Sequence, residues 1–397
     1  MKRCAGIAGL GLLLLGASAC QEKLATPTDC PALFPGTSLT IRDTILVARL
    51  GLDSTFTGYL NANDVGALLV SNGISGGEAR TFAQFPARKD SVLVNGVGAT
   101  YSVDSVGFNL TLVARDTAVR SLRLLAYRIP VTVDTTTSFA ELESSLTPAN
   151  LIDSVVVADT LKSGKLALVV KGDALQRIAP SEADSGKLGI ALTVNAAAAT
   201  GVRLGSLANG TEPLFRSYIH ANVSDTAQQR RTYDLNASVS NYVIQAPPFD
   251  PTALFLGGRS GSRTVLRFSL PKQIKDSGAI VRATLELTPT GPLKGLANDP
   301  AQVQVRNALV DLGAKSPPLT TAAAGAELKA GSSGVQSIDM RTVVETWVGP
   351  NGLPPTLLLG LAPEGGTFLR PEFFSTLTPN GPRLRITYAV SSHPGHP

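Results

Sequence analysis

Side chains that alternate between apolar and polar, in runs too short for a helix, constrain this chain more than any other feature. In "RTVLRFSL" the residues Thr264, Leu266, Phe268 and Leu270 share one face, and Arg263, Val265, Arg267 and Ser269 share the other. "ATLELT" repeats the pattern with Ala283, Leu285 and Leu287, and "RLRITY" with Leu384, Ile386 and Tyr388. A period of two with one apolar face marks half-buried antiparallel strands. Such runs recur from Ile41 onward, separated by Gly, Pro, Asn and Asp; the 38 glycines and 26 prolines suit a sheet protein with frequent turns. The expected fold class is all-β.

Helical pattern is scarce. "IDMRTVVETWVGPNG" offers one short helix, with Asp339 at its cap, Val343, Val344 and Trp347 on one side, and Gly349-Pro350 as its stop. "KGDALQRIAP" offers a second, capped by Asp173 and ended by Pro180.

Both helices come late in a run of strands, which points to an internal repeat. "GALLVSNGISGGEARTFAQFP" at 66–86 parallels "TALFLGGRSGSRTVLRFSLP" at 252–271, and "SVGFNLTL" at 105–112 parallels "IVRATLEL" at 280–287. "VVKGDALQRI", "KLGIALTV" and "FRSYIH" parallel "SIDMRTVVETW", "TLLLGLAP" and "LRITYA" in the same order. Two domains are expected, at 41–235 and 236–391, followed by a flexible tail at 392–397.

The N-terminus fixes the compartment. Lys2 and Arg3 precede an uncharged stretch, Ala5 to Ala19, that is shorter than the roughly 20 residues of a spanning helix. Residues 1–19 read as a lipoprotein signal peptide, Cys20 as the lipidated residue and 20–40 as a tether. Ala17 stands where such signals usually carry Leu. Without acylation the chain would be secreted, with Cys20 and Cys30 able to pair. Gln21 after the cysteine leans towards the outer membrane or cell surface. Removing Lys2 and Arg3 leaves a net charge of about +3, with basic residues scattered, so nucleic acid is not an expected partner.

The second copy carries a family resemblance. "RTVLRFSLP", "ATLELT", "DMRTVVETWVGPNGLPPTLLLGLAPEGGTFLRPEF" and "PRLRITY" resemble the DNRLRE, or disaggregatase-related, domain of bacterial surface and secreted proteins. The resemblance covers about 140 residues, and the first copy in outline. It implies an antiparallel jelly-roll β-sandwich in which the short Trp-bearing helix crosses between late strands, hence two tandem jelly rolls here. Some members of the wider group are carbohydrate-binding modules, and others are surface proteins of unknown role. The chain departs from the family at Leu369-Arg370-Pro371-Glu372-Phe373, where a Ser-Arg-Glu run is usual.

Catalytic patterns are weak. "GISGG" matches a hydrolase elbow with Ser75 as nucleophile, but an elbow needs a helix after the serine, and "EARTFAQF" reads as a strand. His220, His393 and His396 are the only candidate general bases; the first falls on a strand and the others in the tail. Glu141 and Glu143 lie on a polar stretch suited to a solvated face. No zinc-ligand spacing occurs, and no metal or other cofactor is expected; Ca²⁺ stays open only at Asn61, Asn63 and Asp64 in "NANDVG", letters that a turn also explains. Sugar recognition needs aromatic faces: Trp347 shares a helix face with Val343 and reads as core, leaving Tyr59, Tyr242, Phe249 and Phe368 as candidate ligand-binding residues. The expectation is a non-enzymatic envelope lipoprotein that binds polysaccharide or another surface polymer; the alternative is a structural or adhesive protein with a protein partner.

Overall fold

The computed structural model describes residues 38–392 apart from 62, 75, 76, 225 and 226. The signal peptide, Cys20, Cys30, Ser75, His393 and His396 therefore lie outside the described residues, as does most of the tether and tail. The molecule is all-β and antiparallel, organised around two large apolar cores. In chain order the strands begin with β1 (Ser38–Val47) and β2 (Ser54–Thr57). Then come β3 (Leu68–Ile74), β4 (Gly77–Phe85), β5 (Ser91–Val94), the long β6 (Val97–Arg115) and β7 (Arg123–Ile129). After helix α1 (Phe139–Ser144) follow β8 (Leu151–Val156), β9 (Gly164–Lys171), β10 (Leu188–Asn195), β11 (Thr200–Leu204), β12 (Leu214–Ser224), β13 (Ala227–Asn236) and β14 (Val239–Gln245).

The remaining strands are β15 (Ala253–Phe255), β16 (Ser262–Arg267), β17 (Ala279–Leu287), β18 (Ala301–Ala308), β19 (Pro318–Leu328), β20 (Gln336–Asp339), β21 (Thr356–Ala362), β22 (Glu372–Phe374) and β23 (Arg383–Ser392). Helix α2 (Lys272–Ser277) sits between β16 and β17, and α3 (Arg341–Glu345) between β20 and β21.

Around the first core, one row of strands runs β13-β12-β6-β9 and the other β14-β4-β10-β7-β8. β11 and β3 join the rows into one curled sheet, because β11 pairs with both β6 and β3 and β3 pairs with β4. Phe85, Phe108 and Phe215 meet at the centre, with ring centroids 5.1 to 6.1 Å apart. Around the second core the rows run β1-β23-β17-β20 and β2-β16-β21-β18-β19. Ala283, Leu285, Leu287, Leu384, Ile386 and Tyr388 face inward, as their alternation requires. Trp347 is 1% exposed and donates to Asn307 Oδ1 at 2.7 Å, so the crossing helix is nailed to the core by an indole whose polar edge is satisfied.

The expected boundaries move. Residues 41–57 were assigned to the first domain, yet β1 pairs with β23 over ten register positions, from Ser38↔Ser392 to Val47↔Arg383, and β2 pairs with β16. Leu46 and Ala48 are buried in the second core. The strand also starts at Ser38, inside the expected tether, and β23 runs on to Ser392. Backbone groups on an outer strand gain most by pairing, and the free side of β23 is the neighbour that β1 finds. The first unit is thus an insertion between β2 and β16 of the second.

Other local expectations shift by small amounts. α3 starts after Met340, with Asp339 Oδ1 accepting from Arg341 N at 3.1 Å. "KGDALQRI" forms a 3₁₀ helix, Gly172–Ile178, with Lys171 rather than Asp173 at its cap. α1 was not expected. Its Ser138 accepts from Glu141 N, and Glu141 accepts from Ser138 N at 2.7 Å, a capping box that gives Glu141 a local task.

Leu46→Ala removes an anchor of β1 from the second core and is expected to cost about 2–4 kcal/mol. Chemical denaturation with hydrogen-exchange mass spectrometry should locate the loss in β16 to β23 rather than in β4 to β12, which adjoin β1 in sequence but not in space.

Candidate functional site: a cleft between the two cores

Where β14 leaves the first unit and enters the second, the chain runs Ala246-Pro247-Pro248-Phe249-Asp250. Two prolines keep it extended, and Asp250 accepts from Thr252 N at 2.8 Å and from its hydroxyl at 2.7 Å, which turns the chain into β15. Opposite lies the "GGRSGS" turn, whose Gly257, Gly258 and Gly261 all have positive φ and so present Arg259 on a tight loop. The third wall is the segment from Thr367 to Arg370. Together they enclose a cleft of about 550 Å³ between the units.

Arg259 and Arg370 are the only charged residues in the cleft lining. Arg259 Nη2 donates to Thr135 O at 2.8 Å, and Arg370 Nη2 donates to Pro247 O at 2.7 Å. Arg259 Nε and Arg370 Nε and Nη1 are buried with no hydrogen-bond partner. Burial lowers the pKa of both guanidinium groups. Each remains a cation at any physiological pH, so the cleft holds two partly buried positive charges and three guanidinium nitrogens whose N–H bonds are unanswered. An anion that supplies oxygens in the plane of those donors would relieve both costs.

Three of the four candidate aromatics, Tyr242, Phe249 and Phe368, line this cleft, and none offers an open stacking face. Tyr242 is 1% exposed; its hydroxyl donates to Gly365 O at 2.7 Å, and burial raises its pKa. Phe368 belongs to the core of the first unit and packs so closely over β11 that a Cβ on Gly201 would come 2.9 Å from its ring. Phe249 is covered on one side by Phe255, stacked at 4.0 Å, and on the other by the Arg370 guanidinium at 4.4 Å. Tyr59 lies outside the cleft lining, with Arg263 over its ring at 4.5 Å and its hydroxyl on Ala314 O at 2.6 Å. None of the four therefore presents an open face for stacking, and the charged groups of the cleft are its two guanidinium groups. The arginines were missed because lone arginines in turns look like solubilising charge; their burial arises only where two units meet.

Elsewhere the expected residues do structural work. Asn61 Nδ2 donates to Asp64 Oδ2 at 2.9 Å and Asp64 N to Asn61 O at 3.0 Å, so "NANDVG" closes a turn on itself. Among the described residues no group of three or more His, Cys, Asp or Glu side chains could hold a metal. Glu143 accepts from Arg80 Nε at 2.9 Å, and Glu141 caps α1. His220 is half-buried on β12, beside Arg230, Arg231 and Lys171 in a surface groove. No helix among the described residues is long and apolar enough to cross a membrane.

The units are held together by a buried ion pair, Arg203 of β11 with Asp299, and by Asn298 Nδ2 on Arg115 O at 2.8 Å. Burial raises the Asp299 pKa while Arg203 pulls it back down.

No family model and no curated protein matches the chain. One solved structure, named "BspA_C_mut", aligns with 90% of this chain and 86% of its own at 10% identity, with a TM-score of 0.09. A score that low carries no argument about fold.

Arg203→Met leaves the Asp299 carboxylate buried without its cation and is expected to cost about 3–5 kcal/mol. A carboxyl whose folded pKa is raised destabilises once pH exceeds its unfolded value, so the deficit should shrink as pH falls through the carboxylate range. Urea midpoints of wild type and variant at acid and neutral pH measure it. Arg203→Met with Asp299→Leu should recover most of the loss.

Proposed function

We propose that this is a non-catalytic lipoprotein of the bacterial outer membrane or cell surface, built as two tandem jelly rolls, whose inter-unit cleft binds an acidic polysaccharide or another anionic surface polymer. The tandem reading is supported by strand order. β4, β6, β7, β8, β9, β10 and β12 follow the same order around the first core as β16, β17, β18, β19, β20, β21 and β23 around the second, with β3, β5 and β11 as additional partners in the first. The five sequence blocks of the repeat fall on those strands. An eight-strand jelly roll has two facing four-strand sheets; the four-strand row β1-β23-β17-β20 against the five-strand row β2-β16-β21-β18-β19 is near that arrangement, with β2 as an additional edge strand.

The observation that carries the binding reading is the pair Arg259 and Arg370 with three buried guanidinium nitrogens unpartnered. Among the described residues the cleft lining contributes no carboxylate, histidine or lysine, and its one tyrosine, Tyr242, is buried and bonded to Gly365 O. Specificity would come from planar, charge-assisted hydrogen bonds to carboxylate or sulfate groups along a polymer.

The test is affinity electrophoresis and calorimetry of the soluble mature chain against a polyuronate and a neutral glucan. Binding to the polyuronate is expected, weakening with salt, and Arg370→Gln should reduce it roughly 10- to 100-fold, as loss of a charge-assisted bond worth about 1.5–3 kcal/mol implies. Equal binding of the neutral polymer, or an unaffected Arg370→Gln, would overturn the reading. Intact-mass analysis of the membrane-extracted protein is expected to find a diacyl or triacyl group on Cys20 and residues 1–19 removed; an unmodified cysteine there would remove the anchor.

A further inference from the structure

The strand orders contain an exchange. In the first unit the positions flanking β12 and β4 are filled by β13 and β14, while in the second the same positions, flanking β23 and β16, are filled by β1 and β2. Along the chain, β1 and β2 precede the seven strands of the first unit, and β13 and β14 precede the seven of the second. Each strand pair thus completes the unit that the other pair precedes.

The fit is the same in both slots. Leu46 and Ala48 are buried in the second core, as Leu235 and Ala237 are in the first. Ala48 N donates to Pro382 O at 3.2 Å and Ala237 N to Pro213 O at 3.1 Å. One residue on, Arg49 N donates to Arg267 O at 2.7 Å and Ser238 N to Gln84 O at 2.8 Å. Arg267 and Gln84 hold equivalent places in "RTVLRF" and "RTFAQF". Two equivalent slots that hold strand pairs of different sequence through the same backbone bonds and a Leu-x-Ala anchor recognise backbone shape more than side-chain identity. Any copy of 38–57 satisfies it.

We propose that the slot beside β23 and β16 accepts the β1–β2 pair of a second copy of this chain, so that copies link by strand donation. The inference rests on the tandem strand-order reading and not on the binding of any polymer. Swapping an identical element retains every native contact except those of the hinge. That hinge is short. Leu60 N is still bonded to Ser260 O at 3.0 Å in the second unit, and Val65 is already buried in the first core, so four residues of sequence, 61–64, separate the two. Opened, four residues span about 13 Å. β1 also forms a sheet edge whose outer face carries Ile41, Ile45 and Val47, 68%, 50% and 59% exposed, with Asp43 between the first two, so a largely apolar edge is available for contact between linked copies.

The test uses the mature chain with Cys20→Ser and Cys30→Ser, carrying single cysteines at register partners. Ile45 lies opposite Arg385, both outward-facing. Ile45→Cys and Arg385→Cys chains are mixed, unfolded in urea, refolded together over a range of concentrations and treated with a short bismaleimide. A covalent heterodimer is expected, rising with concentration towards the millimolar effective concentration of a short linker, and exceeding that of Ile45→Cys mixed with Arg120→Cys by at least severalfold. The Ile45→Cys/Arg385→Cys double variant, refolded dilute, should link within one chain, which also reports that the substitutions fold. A double variant that links internally while the mixed chains never exceed the Arg120→Cys control would overturn strand donation between copies. A double variant that fails to link would overturn the docking itself. Neither result bears on polyuronate binding.

Discussion

Every outer strand of a sandwich must find a partner for its inward-facing backbone groups, and here that need is met across almost the whole length of the chain. β1 lies against β23 with its first residue opposite the last described one. Nothing local holds it there: no turn joins the two strands, and β1 is held by backbone register, by the Leu46 and Ala48 anchors, and by the side-chain bonds of Thr387 to Asp43 and Arg42 to Gln273. The second core is therefore incomplete until the C-terminal strand exists, which makes folding of that unit a late, long-range event compared with the hairpin that joins β12 to β13 in the first.

The cleft follows from the same topology. Because β2 ends beside the start of β16 and β14 ends beside the start of β4, the chain crosses between units twice at one place: Thr57 pairs with Ser262, and Gln245 with Glu78. Two connectors passing through one junction cannot pack as a core does, since their backbone groups and turns need room. The result is a largely apolar gap, walled by the "GGRSGS" turn and Ala246-Pro247, into which two guanidinium groups are set. Phe368 and Leu296, which belong to the second unit in sequence, plug the first core, so the gap is held at fixed width by apolar contacts on either side.

Much of the architecture was legible because period-two alternation reports burial directly. Ala283, Leu285, Leu287, Leu384, Ile386 and Tyr388 all face inward as their spacing requires. Val265 was less legible: it sits on the outward face of its strand and is nonetheless buried, in a small cluster with Ala308 and Leu358 that β2 and Phe56 help cover. The exchange of strand pairs was not legible at all, since β1 and β13 have equivalent anchors and a sequence cannot say which of two equivalent slots a strand occupies. The capping box at Ser138 and Glu141 is readable as Ser-x-x-Glu, but a solvated-face reading of the two glutamates assigns Glu141 no local partner. Arg259 and Arg370 were unreadable, for their burial depends on an interface between units rather than on the periodicity of either.

The exchange also decides how a load would pass through the molecule. Tension applied at Ser38 enters β1 and passes by backbone bonds to β23, so it reaches the second core before the first, although the first comes sooner in sequence. The first unit departs after Thr57 and returns by Ser262, residues that are direct register partners, so it hangs from the second as a side branch. A pull at the N-terminal end is then resisted by one sandwich, with the ten-residue β1 ladder as its first element, while the inserted sandwich bears little of it. For a chain held near its N-terminus, that arrangement keeps the cleft wall contributed by the first unit out of the direct line of force. The wall contributed by Arg259 and Arg370 stays fixed to the sandwich that carries it.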